Sequence, residues 1–135
     1  GYMVMRALVA RRVVSCGLYP FFPIHHSNKS NNYPLVDDLI EPYRQFIDIF
    51  IFFYTKKTAN LPQVNKEFKI LLFDFLNLPC PTKNGDFHLQ THIEKFCYSY
   101  LESIESCDSN RIFFNKINWS KYAERISSHV ASGNI

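Results

Sequence analysis

At 135 residues, 47% of them hydrophobic, the chain is long enough to bury one sizeable core, so one compact domain is expected. Fifteen basic against twelve acidic side chains leave a net charge of only +3; this excludes a global basic field for nucleic acid, and any DNA contact must come from local clusters. The four cysteines, Cys16, Cys80, Cys97 and Cys107, form no CxxC pair, which sets aside a zinc knuckle or disulfide scaffold in favour of buried free thiols in a cytoplasmic protein.

The chain runs from Gly1 and Tyr2 straight into MVMRALVARRVV, with no initiator methionine, leader or capping residue. It therefore reads as starting inside or just before a helix of a longer protein. Met5, Leu8, Val9 and Val13 recur at helical spacing and Gly17 stands where a left-handed terminus would sit, predicting a first helix over Tyr2 to Cys16. Arg6, Arg11 and Arg12 fall on more than one of its faces, as a solvated face or a subunit contact would have them. Pro20, Pro23 and the polar run HHSNKSNN then predict a loop from Leu18 to Asn32.

Pro34 suits the first turn of a second helix, capped by Asn32, whose apolar pattern runs through Leu35, Leu39, Tyr43, Phe46, Ile47 and Phe50 to about Tyr54. Pro42 lies inside it and predicts a kink, because it has no amide hydrogen and crowds the carbonyl of Asp38. The apolar stretch Phe46 to Tyr54, interrupted by Asp48, falls far short of the roughly 20 residues of a membrane span. A turn from Ala59 to Pro62 leads to a third helix over Val64 to Leu76, and Asn77 to Asp86 reads as a loop because of its two prolines and Gly85. A fourth helix is expected from Phe87 to about Ser106, and a shorter last one from Trp119 to about Val130. Arg111 to Ile117 is short and aromatic enough to be extended. Strands otherwise have almost no claim, so the expected class is all-α, a bundle of about four to six helices. Thirteen Phe and eight Tyr give such helices large apolar faces, and an exposed one would mark an interface.

The stretch that carries chemistry is His25 to Arg44, with two imidazoles on a polar loop and three carboxylates, Asp37, Asp38 and Glu41, on the helix it enters. At spacings of four and three residues, Glu41 shares a helix face with one or both aspartates, and like charges so close cost stability unless a cation lies between them. A mixed nitrogen and oxygen set suits manganese, magnesium or zinc. Acids in the first turns of a helix also complement its dipole, so spacing alone leaves metal binding and a plain helix start both open. Other arrangements fall away. His88 and His92, four apart, lack the glutamate of an HExxH motif and read as an incidental surface pair. No serine has a histidine and acid at triad spacing, and four glycines build no phosphate loop.

The run from Gly1 to Asp48 resembles the spacer-acquisition endonuclease/integrases of CRISPR systems, type II-like in particular. The resemblance rests on an Ala- and Arg-bearing helix, a GL-x-P turn, an IHH-x-N loop and a DL-[MI]-EP-[FY]-R helix, in that order. It implies a metal-dependent DNA integrase that inserts short foreign spacers into a CRISPR array in antiviral defence. The 135 residues would form part of its C-terminal helical catalytic domain, with the N-terminal β-rich domain absent from this chain and no activity expected in isolation. A divalent Mg²⁺ or Mn²⁺ would be held by His26 and Glu41, the catalytic pair, with a third ligand, an upstream glutamate, that nothing here matches. His26 is preferred over His25 by its distance from the Glu-Pro-Tyr-Arg run; His25, Asp37 and Asp38 would stand behind the ligands, and Lys29 and Arg44 would contact DNA. The implied partners are spacer and repeat DNA, a second copy in a homodimer, and a small ferredoxin-like adaptation protein, with no membrane. The alternative is a non-enzymatic helical interaction module, in which the same acids only stabilise a helix start.

Overall fold

The computed structural model describes residues 1–25, 32–58 and 64–131. Six α-helices dominate it: α1 (Tyr2–Ser15), α2 (Pro34–Ile40), α3 (Arg44–Thr58), α4 (Lys66–Leu76), α5 (Leu89–Ser106) and α6 (Trp119–Ala131). The chain is mostly helical, as its periodicity implies. The expected turn from Ala59 to Pro62 lies outside the described residues.

Helix α1 ends as its glycine predicts. Gly17 adopts φ +80°, its N–H donates to the Val14 carbonyl at 3.0 Å, and the Leu18 N–H donates to Val13 at 3.0 Å. These two bonds satisfy carbonyls that the helix end orphans, and Leu18 and Val13 are both buried beside them. Pro34 opens α2 at its first turn, but the cap is Tyr33, without a side-chain bond, and not Asn32. The Leu35 N–H, a donor that a capping side chain would take, donates instead to the Pro20 carbonyl at 3.2 Å.

Pro42 acts more sharply than a kink. Because it has no N–H, the Asp38 carbonyl takes the N–H of Glu41 instead, three residues on, and the helix tightens into a 3₁₀ turn over Glu41–Tyr43 before α3 begins. Asn65 caps α4, accepting the Phe68 N–H at 2.8 Å.

The loop expected over Asn77 to Asp86 is corrected by a short hairpin, β1 (Cys80–Thr82) against β2 (Gly85–Phe87), antiparallel with Cys80 opposite Phe87. Its two-residue connection is Lys83-Asn84. Gly85 takes φ +109°, which few side chains tolerate, and the Thr82 hydroxyl donates to the Gly85 carbonyl at 2.6 Å. Gly85, at the first position of β2 and in a backbone conformation that favours glycine, is the turn signal that the two prolines obscure. Of the stretch Arg111 to Ile117, only Ile117 pairs, as an isolated antiparallel bridge to Thr82.

The chain divides into two compact units of two segments each, a subdivision that length and composition do not signal. One comprises Gly1–Arg44 with Gln90–Phe114, the other Gln45–Leu89 with Asn115–Ile135. In the first, α1 packs on α2 and buries Met5, Val9 and Val13, while Tyr2, Met3, Val4 and Val14 on its other sides stay exposed. In the second, aromatic rings make the core. Phe50 lies 5.4 Å from Phe68 and 5.0 Å from Phe75, and Phe46 lies 5.1 Å from Trp119 and 5.7 Å from Tyr122. Arg125 of α6 ties the hairpin to it, donating to the Pro79 carbonyl at 2.7 Å and to Asp86 at 2.8 Å.

Phe50 is 1% exposed, so Phe50→Ala leaves a cavity among rings that collapse only partly. It is expected to lower unfolding free energy by about 3–5 kcal/mol in denaturant titration; a loss under about 1 kcal/mol would contradict this core.

Candidate functional site

The three acids of the second helix meet different fates. Asp37 receives both nitrogens of the Arg6 fork, Nε at 2.6 Å and Nη2 at 3.0 Å, a two-point pairing whose geometry fixes α1 against α2. Asp38 turns its Oδ2 to the loop after α1, accepting the backbone N–H of Ile24 at 2.8 Å and of His25 at 3.0 Å. Glu41 stands exposed at the start of the 3₁₀ turn, paired with Arg44 at 3.0 Å, each side chain nearly half exposed. The aspartates therefore need no cation between them: a guanidinium balances one and two amides the other.

Arg44 also lies over the Tyr2 ring, 5.7 Å from its centre. Two of the three α1 arginines are used within the chain, beyond the expected solvated or subunit face, since Arg6 holds Asp37 and Arg12 lies 3.6 Å from Glu94. The side chain of His25 is exposed. His26 and Lys29 lie outside the described residues, and among the described residues no three His, Cys, Asp or Glu side chains group to hold a metal.

Two residues that the sequence analysis did not place at the site hold the turn from behind. Tyr43, two positions after Glu41, is fully buried, and its hydroxyl shares a 2.9 Å hydrogen bond with Nδ1 of His92. Around them stand Phe96 and Phe114, 5.9 and 6.3 Å from the Tyr43 ring, and Phe113, 5.9 Å from His92. The reading of His88 and His92 as a surface pair is thus corrected: His92 is 1% exposed, while only His88 is at the surface, its Nδ1 3.3 Å from the Asn77 carbonyl. Burial, with a smaller contribution from Lys95, holds the His92 imidazole down to about 4, and burial pushes the Tyr43 phenol well above its ordinary range. Both are neutral, as a buried pair must be. The partners are 49 residues apart, and the apolar residues around each give no periodic sign of a polar bond.

Cys16, Cys80 and Cys97 are buried thiols as expected, and Cys107 is exposed, which corrects that reading for one of the four. Cys107 sits at φ 51° just past α5, where the helix end turns it outward. Burial pushes Cys80 and Cys97 up to about 12, so both stay protonated and unreactive.

The family model of the CRISPR associated protein Cas1 matches residues 1–69, just over half of the 135 residues. The chain belongs to the Cas1 family. It therefore belongs to CRISPR adaptation, in a family that works with DNA and with other CRISPR-associated proteins. The Cas1 match takes in α1, the loop that Asp38 holds, all three acids and α3, and ends at Lys69 in α4. His92, the anchor of Tyr43, lies beyond it. Among the described residues no helix is long and apolar enough to cross a membrane.

Two outcomes follow from these bonds. The native state leaves His92 unprotonated down to about pH 4, whereas the unfolded chain protonates it near 6.5. Between those values the unfolded state binds more protons, so stability falls as pH drops from about 6.5 towards 4, by as much as about 3 kcal/mol. His92→Gln, which keeps a hydrogen-bonding group but does not titrate, should flatten that part of the pH profile in chemical denaturation. Separately, Asp38→Ala should leave the helices intact and speed amide exchange at Ile24 and His25 at least roughly tenfold, since both lose a charged acceptor. Unchanged exchange there would mean that the loop is held by something else.

Proposed function

We propose that this chain is part of a metal-dependent DNA endonuclease/integrase that joins short foreign spacers to a CRISPR array, with His26 and Glu41 as two of its metal ligands. The observation that carries the reading is the contrast among the acids: the Cas1 match spans all three, both aspartates are engaged in bonds that hold the fold, and Glu41 is exposed with its carboxylate on a surface arginine. A carboxylate in that position exchanges Arg44 for a cation without uncovering a buried charge.

Of Mg²⁺ and Mn²⁺, both suit the carboxylate oxygen, and the imidazole nitrogen favours the softer Mn²⁺. When bound, such an ion polarises a phosphoryl oxygen and lowers the pKa of a bound water or hydroxyl. The residues of this chain do the positioning. Asp38 holds the backbone up to His25, the residue before His26, against the helix that carries Glu41; Pro42 and Tyr43 fix the turn. Lys29 and Arg44 provide cations for DNA phosphates, Arg44 once released from Glu41. His25, Asp37 and Asp38 stand behind the ligands, and the third ligand, a glutamate, has no match in these residues. The 135 residues alone are accordingly expected to be inactive, because phosphoryl transfer depends on a complete and positioned metal site. In the assembled enzyme the partners would be spacer and repeat DNA, a second copy and a small ferredoxin-like adaptation protein, in the cytoplasm.

In a complete Cas1 integrase carrying this segment, Glu41→Ala and His26→Ala should each lower Mn²⁺ binding and spacer integration by at least about 100-fold, and Asp38→Ala by less, as expected of a residue one step removed from the metal. Retention of both by Glu41→Ala would sink the site, and loss in His25→Ala with His26→Ala intact would reassign the imidazole.

A further inference from the structure

Two helices carry outward faces that match in spacing and oppose each other in charge. Helix α4 buries Phe68, Leu72 and Phe75, and its opposite stripe, Lys66, Lys69, Ile70 and Phe73, faces solvent. Ile70 is 51% and Phe73 57% exposed, while Glu67 and Asp74 lie on the flank of this stripe. Helix α5 buries Ile93, Phe96 and Cys97 and leaves Tyr98 48% exposed. Glu102 and Glu105 are exposed beside Tyr98, with Leu101 half-buried at their edge.

Neither set of charges is explained by the stability of its own helix. Lys66 opens α4, at the end where the helix dipole disfavours a cation, and Glu105 lies in the last turn of α5, just after Glu102, where the dipole disfavours an anion. Among the described residues, Lys66, Lys69, Glu102 and Glu105 enter no ion pair. Spacing relates the two faces. From Lys66 the α4 stripe steps three residues to Lys69 and four more to Phe73; backwards from Glu105 the α5 stripe steps three to Glu102 and four more to Tyr98. Laid antiparallel, the helices place Lys66 level with Glu105, Lys69 with Glu102, Ile70 with Leu101 and Phe73 with Tyr98, over about 10 Å of helix. Cation stands level with anion and apolar with apolar, and the N-terminal end of each helix lies beside the C-terminal end of the other.

We propose that α4 of one copy of this chain packs antiparallel on α5 of a second copy, a head-to-tail contact through two different patches. Both faces are exposed within one chain, so the complement of each comes from another. DNA does not suit them, because Glu102 and Glu105 repel phosphates and half of the α4 stripe is apolar. Since the two patches differ, each pairing leaves one of each free, and the contact extends instead of closing as a two-fold dimer would. A stable interface takes about 20–30 residues a side; one helix pair offers far fewer, so the association is weak and driven by concentration. The contact goes beyond the integrase reading and does not depend on it.

Sedimentation velocity of the 135-residue chain over a concentration series tests this. The weight-average mass is expected to rise past that of a dimer and to fall back in high salt. Lys66→Glu with Lys69→Glu makes both faces acidic, and Glu102→Lys with Glu105→Lys makes both basic. Each double variant is expected to weaken association at least about tenfold, and an equimolar mixture of the two to restore it, because every contact in the mixture again joins opposite charges. Both reversals agree with the dipoles of their helices, so the variants should melt no lower than the parent chain, and misfolding does not mimic the loss. Phe73→Ala, which changes no charge, should also weaken association about tenfold. Association unchanged in both double variants, or lost in each and not restored by mixing, overturns the contact. A chain that stays monomeric throughout the series overturns it too, and so does association that stops at a dimer, which marks a two-fold interface.

Discussion

The absence of one amide hydrogen organises the candidate site. Pro42 cannot donate to the Asp38 carbonyl, so the N–H of Glu41 does so, and one helix becomes two joined by a 3₁₀ turn. Within three residues that turn places an exposed carboxylate, a proline and a fully buried phenol. Glu41 faces solvent and Arg44, while Tyr43 runs inward to His92. A continuous helix would carry these side chains on faces set by a regular 100° step, without the tightened turn that separates them here.

Burying a hydroxyl and an imidazole among phenylalanines is costly unless each finds a partner, and the 2.9 Å bond between them meets that requirement for Tyr43 and His92. A buried polar pair specifies its alignment more tightly than an apolar contact, because sliding it leaves two groups unsatisfied. The register of α5 against the turn is thereby tied to the position of Glu41. The same logic acts on the loop side, where a single carboxylate oxygen of Asp38 gathers two amides and so joins the segment before His26 to the helix of Glu41.

Acids that look equivalent in sequence are separated by what faces them. Among the described residues, Asp37 meets a guanidinium from α1, Asp38 meets backbone amides, and Glu41 meets an exposed arginine three residues on. Exposed ion pairs of this last kind contribute little, typically 0 to about 1 kcal/mol, so replacing Arg44 by a cation costs the fold almost nothing. Breaking the two aspartate pairings would instead release α1 and the loop before α2.

The sequence alone determined the helices and most of their ends, because these are local. The apolar spacing of α1, α4 and α5, the glycine at the end of α1, the proline that opens α2 and the proline that divides it from α3 each act through the backbone within a few residues. The motif run from α1 to the Glu-Pro-Tyr-Arg turn carried the family resemblance in the same way. What only the tertiary structure decided is long-range. The Arg6 pairing with Asp37 spans 31 positions, that of Tyr43 with His92 spans 49 and that of Arg125 with Pro79 spans 46. None leaves a periodic trace, since each depends on two elements arriving at one place. The hairpin at Cys80–Phe87 was missed for a related reason: strands of three residues are too short to alternate, and their pairing is secured by a bridge to Ile117 and a clamp from Arg125 that lie far along the chain.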